Sequence, residues 1–232
     1  MADQSRLSTL LIAASLAAGV SYIFAVYAQM TGPEITAWKG MGVGLLAVYA
    51  ALCAKGRDGW MLAGILAFGA AGDVVLDIAF TAGAALFAIG HILAITLYRR
   101  HIRPNLSDTD RMIGALLIGV PVGIAWALTQ KAEVALYTLL LGSMASAAWV
   151  SRFPTKLTAL GAVLFIISDL LIFARMGPLS GSLIIPEKKE DAARLGLPGR
   201  THIVGSLIDK PSQKPFLIKS FSINSQEAFC AP

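Results

Sequence analysis

The chain has 232 residues, of which 56% are hydrophobic and only 14% are charged, and its mean hydropathy is +0.69. A soluble domain carries about 25% charged residues to cover its surface, so this composition excludes a soluble globular protein. The formal net charge is +5, but the basic residues stand between apolar runs, which argues against a nucleic-acid partner. Two cysteines, Cys53 and Cys230, are too few for a disulfide framework. We therefore expect an integral membrane protein.

Seven apolar runs before residue 176 have the length, roughly 18 to 25 residues, that is needed to cross about 30 Å of hydrocarbon. The third and fourth runs are continuous, which predicts a helical hairpin with its turn near Thr81–Gly83. The predicted fold is an all-α, polytopic transmembrane helix bundle. Its expected spans are approximately Leu7–Ala28, Ile35–Ala54, Trp60–Ala79, Ala82–Tyr98, Met112–Thr129, Val134–Val150 and Leu157–Ala174.

The basic residues of the short loops predict the orientation of the bundle. Nine Lys or Arg residues fall on one side of the predicted membrane, against Lys131 alone on the other. The positive-inside rule then places the amino terminus in the cytoplasm. The first run resembles a signal peptide in its flanks, but its uncharged core is too long for one. It is therefore interpreted as a retained helix.

The composition changes after Met176, which divides the chain into a transmembrane domain, residues 1–176, and a tail, residues 177–232. Six of the ten prolines and twelve of the 33 charged residues lie in the tail, and none of its apolar stretches is long enough to span. This composition predicts a polar tail that is disordered or aberrant.

Five ionisable side chains fall within the predicted spans: Lys39, Asp73, Asp77, His91 and Asp169. Each costs at least ~2.5 kcal/mol at the centre of a membrane helix, so such groups face a protein interior or a wet cavity. Because neighbouring helices alternate in direction, distant sequence positions reach the same depth. We expect Asp73, His91, Asp169 and the nearby Tyr137 to line one cavity.

Asp73 and Asp77 are four residues apart, which predicts that they share one helix face. Two carboxyl groups so close together cannot both ionise cheaply, so one should hold its proton beside the other. That combination suits acid–base hydrolysis within a membrane.

Structural alternatives stand beside these functional ones. Lys39 near a helix end is long enough to extend to the headgroups. His91 fits a hydrogen-bonded packing residue, and Asp77 fits a residue that caps the hairpin. No cofactor or metal is expected, although three carboxylates and a histidine could bind a divalent ion without any recognisable ligand spacing.

Short motifs follow one another along the third to seventh predicted helices. They are Gly72-Asp73-Val74-Val75-Leu76, the series Phe80, Gly83, Phe87 and His91, the pair Tyr137 and Met144, and Gly161 through Ser168-Asp169. In these motifs and their order the chain resembles the YhhN-like lysoplasmalogenase family of integral membrane proteins.

The chain departs from the family pattern at Gly40, where the family has proline, at Ala94, where it has tyrosine, and at Asp77, where an apolar residue is common. The family fold has eight helices, whereas here the polar tail replaces the eighth, as an aberrant carboxyl end would explain.

The resemblance implies hydrolysis of the vinyl-ether bond of lysoplasmalogen, giving a fatty aldehyde and a glycerophospho-ethanolamine or -choline. It implies catalytic roles for Asp73, Asp169 and His91, with Tyr137 at the substrate and Lys39 at the lipid phosphate. Asp77 is also predicted at the substrate, but the resemblance does not carry that role, because the family commonly has an apolar residue there. The expected partners are a lysophospholipid substrate and membrane lipids. A proton-coupled transporter that uses buried carboxylates is the alternative function, and a structural membrane protein is a third.

Overall fold

The computed structural model describes residues 2–30 and 32–176, and these residues form seven α-helices and no strand. All seven helices are long and apolar enough to cross a membrane, which confirms the predicted fold class and the seven predicted spans. The tail that was predicted from residue 177 onward lies outside the described residues. The helices are α1 Ala2–Tyr27, α2 Pro33–Cys53, α3 Gly56–Val75, α4 Phe80–Arg100, α5 Asp108–Thr129, α6 Ala132–Val150 and α7 Thr155–Met176.

Local sequence explains where several helices begin. Pro33 occupies the first turn of α2, where its missing N–H costs no hydrogen bond. Ser107 and Asp110 form a capping box at the start of α5, in which each side chain accepts a hydrogen bond from the other residue's backbone N–H. These signals fix the helix ends in the connections between apolar runs.

The turn between α3 and α4 lies earlier than predicted. The sequence placed it near Thr81–Gly83, but α3 ends at Val75 and α4 begins at Phe80. A Cβ on Gly83 would lie 2.5 Å from backbone atoms of Leu76, so the first turn of α4 packs directly on the end of α3. Residues 76–79, which make the reversal, include no glycine or proline, so the local sequence carries no turn signal there.

The helices pack in an order that leaves a central space. Consecutive helices from α1 to α4 are neighbours, α5 packs on α6, and α7 packs on both of them. The two groups are joined where α4 contacts α6, through a buried cluster that includes Ala94, Leu141 and Ala145. Space between the two groups is lined by residues of α2, α3, α4, α6 and α7.

One end of the bundle, called the basic end here, carries Lys55, Arg103 and Arg152 between its helices. There the segment after α4 pairs with the segment after α6 through a bridge between Ile102 and Ser151. Arg103 Nη2 donates to the carbonyl of Trp149 at 2.9 Å. These bonds tie the two helix groups together at this end, while its assignment to the cytoplasm stays a prediction.

Candidate functional site

The space between the helix groups is a cavity with about 840 Å³ free of protein atoms, part of it open to the outside. Ligand sites are mostly apolar with a few placed polar groups. Asp73 and His91 supply an acid and a base to this largely apolar wall. Both side chains are buried, with 2% and 5% of their surface exposed. The lining residues are Val43, Leu46, Ile65, Leu66, Gly69, Asp73, Phe87, Gly90, His91, Ala94, Tyr98, Met144, Thr158, Gly161, Ala162 and Phe165.

Behind His91, a hydrogen-bonded chain joins α4, α6 and α7. The Tyr137 hydroxyl donates to Asp169 Oδ2 at 2.8 Å, and its oxygen lies 3.4 Å from His91 Nε2. A phenol has one proton to donate, so in this arrangement Nε2 carries the proton that points to Tyr137. In a neutral ring, Nδ1 is then the basic nitrogen. The chain therefore orients the imidazole and links it to a buried carboxylate.

Aromatic rings hold this chain in place. Phe165 packs edge to face on His91 with ring centroids 5.2 Å apart, and Phe87 packs on Phe165 at 5.8 Å. Phe173 packs edge to face on Tyr137 at 6.1 Å. Such pairs restrict ring rotation and exclude water. The imidazole and phenol are thus fixed by packing as well as by hydrogen bonds.

Asp73 lies in the last turn of α3, on the cavity side. Gly72 allows this placement, because a Cβ there would lie 2.9 Å from the Phe87 ring. Asp73 and His91 both line the cavity, so the carboxyl group and the imidazole face the same space.

Asp77 lies in the turn that follows α3, two residues beyond the end of the helix at Val75. Leu76 keeps a right-handed helical conformation, and the N–H of Ala79 donates to the Val75 carbonyl, so the backbone through this turn stays close to helical. Asp77 Oδ1 lies 2.8 Å from Lys39 Nζ, and both side chains are buried. The alternative in which Lys39 extends to the headgroups is therefore wrong, since 3% of Lys39 is exposed and its ammonium points to Asp77.

The structure thus divides the predicted site residues into two groups. Asp73 and His91 line the cavity, with Tyr137 and Asp169 joined to His91 behind that wall. Lys39 and Asp77 form a separate ion pair, and neither lines the cavity. Within residues 2–30 and 32–176, no three His, Cys, Asp or Glu side chains come together as a metal site would require.

Sequence reasoning missed two residues of the cavity lining. Thr158 and Tyr98 line the cavity toward the basic end. Their spacing from Phe165 and His91, seven residues in each case, places them two turns away on the same helix faces. That periodicity was a usable signal.

One comparison with known proteins identifies a family for this chain. The model of the YhhN family matches residues 34–184, about two thirds of the chain, and the match includes all six predicted site residues. No curated protein and no solved structure gives a match. A match of this extent, over the helices that build the cavity, shows that the chain belongs to the YhhN family.

Proposed function

We propose that this protein is an integral membrane hydrolase that cleaves the vinyl-ether bond of lysoplasmalogen. The observation that carries the proposal is the pairing of Asp73 with a His91–Tyr137–Asp169 chain at one apolar cavity. A lysophospholipid offers an aliphatic chain for the apolar wall and a reactive polar bond for the two ionisable groups. Membership of the YhhN family is consistent with a hydrolase of this kind.

The first step is transfer of a proton to the β-carbon of the vinyl ether. The new C–H bond takes its electron pair from the double bond, which leaves an oxocarbenium ion. Asp73 suits the donor, because it lines the cavity whereas Asp169 is engaged through Tyr137. Once it has given up its proton, the same carboxylate stabilises the adjacent cation, which is worth most where water is excluded.

The second step is capture of the cation by water. Attack forms a C–O bond, and His91 accepts the proton that the water loses. Asp169, acting through Tyr137, stabilises the resulting imidazolium, much as a buried carboxylate does in other acid–base chains. The hemiacetal then loses the glycerol alkoxide as its alcohol and leaves the fatty aldehyde, so one water is consumed for each ether cleaved.

The predicted contact of Lys39 with the lipid phosphate requires an exchange of partners. Its ammonium is bound to Asp77 at 2.8 Å, so a phosphate would have to replace that carboxylate. In the proposed mechanism Lys39 and Asp77 therefore take no part in proton transfer.

The deciding experiment uses the purified full-length protein in lipid nanodiscs with lysoplasmalogen, and measures released aldehyde. The matched control substrate is the saturated 1-O-alkyl lysophospholipid, whose ether has no double bond to protonate. Aldehyde from the vinyl ether alone is expected, and its release should fall sharply in Asp73→Asn. Absence of aldehyde with folded wild-type protein would overturn the proposal and favour the proton-coupled transporter.

A further inference from the structure

We propose that Thr158 and Tyr98 form a polar floor to the cavity, which sets the longest aliphatic chain that it accepts. The inference rests on the proposed function, because it concerns the alkenyl chain of the same lysophospholipid. It assigns a specificity role to two residues that take no part in the proton transfers.

The cavity has two distinct ends. His91 and Tyr98 lie on one face of α4, seven residues apart, and Phe165 and Thr158 lie seven residues apart on α7. At 1.5 Å of rise per residue, each pair spans roughly 10 Å along the bundle. Both helices therefore place the reactive groups at one level and Thr158 with Tyr98 at the other, nearer the basic end.

The wall between the two ends is apolar. It consists mainly of the side chains of Leu46, Leu66, Ala94, Met144 and Ala162. Such a wall suits methylene groups and offers nothing to a glycerol or a phosphate. With the vinyl ether at Asp73 and His91, the aliphatic chain is the part of the substrate that fits the space toward Thr158.

The floor differs from the wall in carrying a hydroxyl that lacks a hydrogen bond. Thr158 is 93% buried, and its Oγ1 has no hydrogen-bond partner among the described residues. A buried hydroxyl is usually satisfied by protein or by water. When the aliphatic chain of the lipid is short, the cavity leaves room for a water molecule beside Thr158. An aliphatic chain that reaches the floor displaces that water and covers the Thr158 hydroxyl with its terminal methyl group.

Aromatic packing supports Tyr98 on the side nearer the basic end. Phe153 packs edge to face on Tyr98, with centroids 5.7 Å apart, and on His101 at 5.3 Å. His101 Nε2 lies 2.7 Å from Asp58 Oδ2, so the layer beneath Tyr98 is joined to the start of α3. A braced floor resists displacement by an extra methylene, because packed interiors accommodate added volume poorly.

These features predict an optimal length for the aliphatic chain of the lysophospholipid. The affinity for the lipid should rise with each methylene until the terminal methyl reaches the floor. For longer aliphatic chains the affinity should fall by about tenfold, because the methyl group covers an unsatisfied hydroxyl and crowds a packed wall. A cavity that was open at this end would show no such fall.

The test measures binding of saturated 1-O-alkyl lysophospholipids that differ only in chain length to the full-length protein in nanodiscs. Thr158→Val keeps the side-chain shape and removes the hydroxyl, so affinity for chains above the optimum should rise about tenfold. Thr138→Val is the matched control, since the buried Thr138 hydroxyl already donates to the Val134 carbonyl at 2.7 Å and does not line the cavity. It should leave the length profile unchanged.

Two further variants test the role of the floor if Thr158→Val does not fold. Thr158→Ser keeps the hydroxyl and removes a methyl group, which should move the optimum to a longer aliphatic chain. Tyr98→Phe should reduce the loss of affinity for aliphatic chains longer than the optimum. A wild-type profile without an optimum, or folded floor variants with the wild-type profile, would overturn the inference. Because these lipids cannot be cleaved, a length optimum without aldehyde release from lysoplasmalogen would overturn the hydrolase proposal alone.

Discussion

Lys39 Nζ lies 2.8 Å from Asp77 Oδ1, and the two side chains are 3% and 8% exposed. The contact joins the second turn of α2 to the connection between α3 and α4. A buried charge without its partner is costly, whereas a buried pair replaced as a unit often costs little. We therefore expect the pair to fix how α2 meets the α3–α4 connection.

This contact predicts strong energetic coupling between the two residues. Lys39→Met and Asp77→Asn should each lower the free energy of unfolding by about 3–5 kcal/mol, because each leaves an uncompensated charge in the protein interior. The double variant should recover most of that loss. A double-mutant cycle, measured by denaturation in mixed detergent micelles, isolates the coupling.

The matched control for this cycle is the ion pair between Arg100 and Asp58, in which the side chains are 41% and 22% exposed. Exposed pairs contribute about 0–1 kcal/mol, so Arg100→Met should have a small effect. Additive losses in the Lys39 and Asp77 cycle would contradict the interpretation of their contact as a buried, mutually dependent pair.

A second prediction concerns the chain behind His91. Tyr137→Phe removes the hydroxyl between His91 and Asp169 while keeping the ring against Phe173. Aldehyde release should fall about 10²-fold, the lower end of what a positioned acid or base contributes. Tyr137 and Asp169 act on the same imidazole. The double variant, which combines Tyr137→Phe and Asp169→Asn, should therefore turn over at nearly the rate of the less active single variant.

The control is Tyr27→Phe, because Tyr27 is 77% exposed on α1 and lies outside the cavity lining. It should keep wild-type turnover. Fully multiplicative losses in the Tyr137 and Asp169 double variant would show that the two residues act independently, against the proposed chain.

The sequence predicted the spans well and the contacts unevenly, for physical reasons. Apolar length alone identifies a membrane helix, so all seven spans could be located. Helix depth placed Asp73, His91, Tyr137 and Asp169 near one another, because antiparallel helices share levels. Rotation about each helix axis is not encoded in depth. The sequence therefore could not show that His91 faces the cavity while Asp169 lies behind it.

The turn between α3 and α4 shows a different limit. The sequence predicted it near Thr81–Gly83, whereas α3 ends at Val75 and α4 begins at Phe80. The first turn of α4 packs closely on Leu76 at Gly83. A contact between residues seven apart leaves no local turn signature in the sequence.

That packing gives a third prediction. Gly83→Ala places a methyl 2.5 Å from the Leu76 backbone, which cannot rotate away, so the free energy of unfolding should fall by about 1–3 kcal/mol. Gly119→Ala is the matched control, since no atom outside its own helix neighbourhood lies within 4 Å of the added Cβ. Alanine favours a helix over glycine by about 1 kcal/mol, so Gly119→Ala should be neutral or stabilising. Equal thermal stability of the two variants would contradict the close approach.

A fourth prediction tests orientation. In a variant with Cys53→Ala and Cys230→Ala, Asn105→Cys places a thiol in the connection after α4, and Gln130→Cys places one between α5 and α6 at the opposite end. The positive-inside rule puts the first in the cytoplasm. A membrane-impermeant maleimide should label Gln130→Cys in intact cells and Asn105→Cys only after permeabilisation. The reverse labelling pattern would show that the protein has the opposite orientation in the membrane.

The last prediction separates the roles of the buried carboxyl groups. Asp73→Asn removes the proposed proton donor at the cavity wall, and Asp169→Asn removes the acceptor of the Tyr137 hydrogen bond. Both should reduce aldehyde release by at least 10²-fold without loss of folded protein, because Asn keeps the side-chain volume and is easier to bury than a charge. Asp108→Asn, at an exposed site near the basic end, should keep wild-type turnover.

The solvent isotope effect should distinguish the two variants. Protonation of carbon is the slow step of enol-ether hydrolysis, so the wild-type rate should fall in deuterated water. In Asp73→Asn another group must supply the proton, so carbon protonation stays the slow step and a clear isotope effect should remain. In Asp169→Asn the capture of the cation by water becomes slow enough to limit the rate, so the isotope effect should become smaller. An isotope effect that was lost in Asp73→Asn and kept in Asp169→Asn would exchange the two roles, with Asp169 supplying the proton.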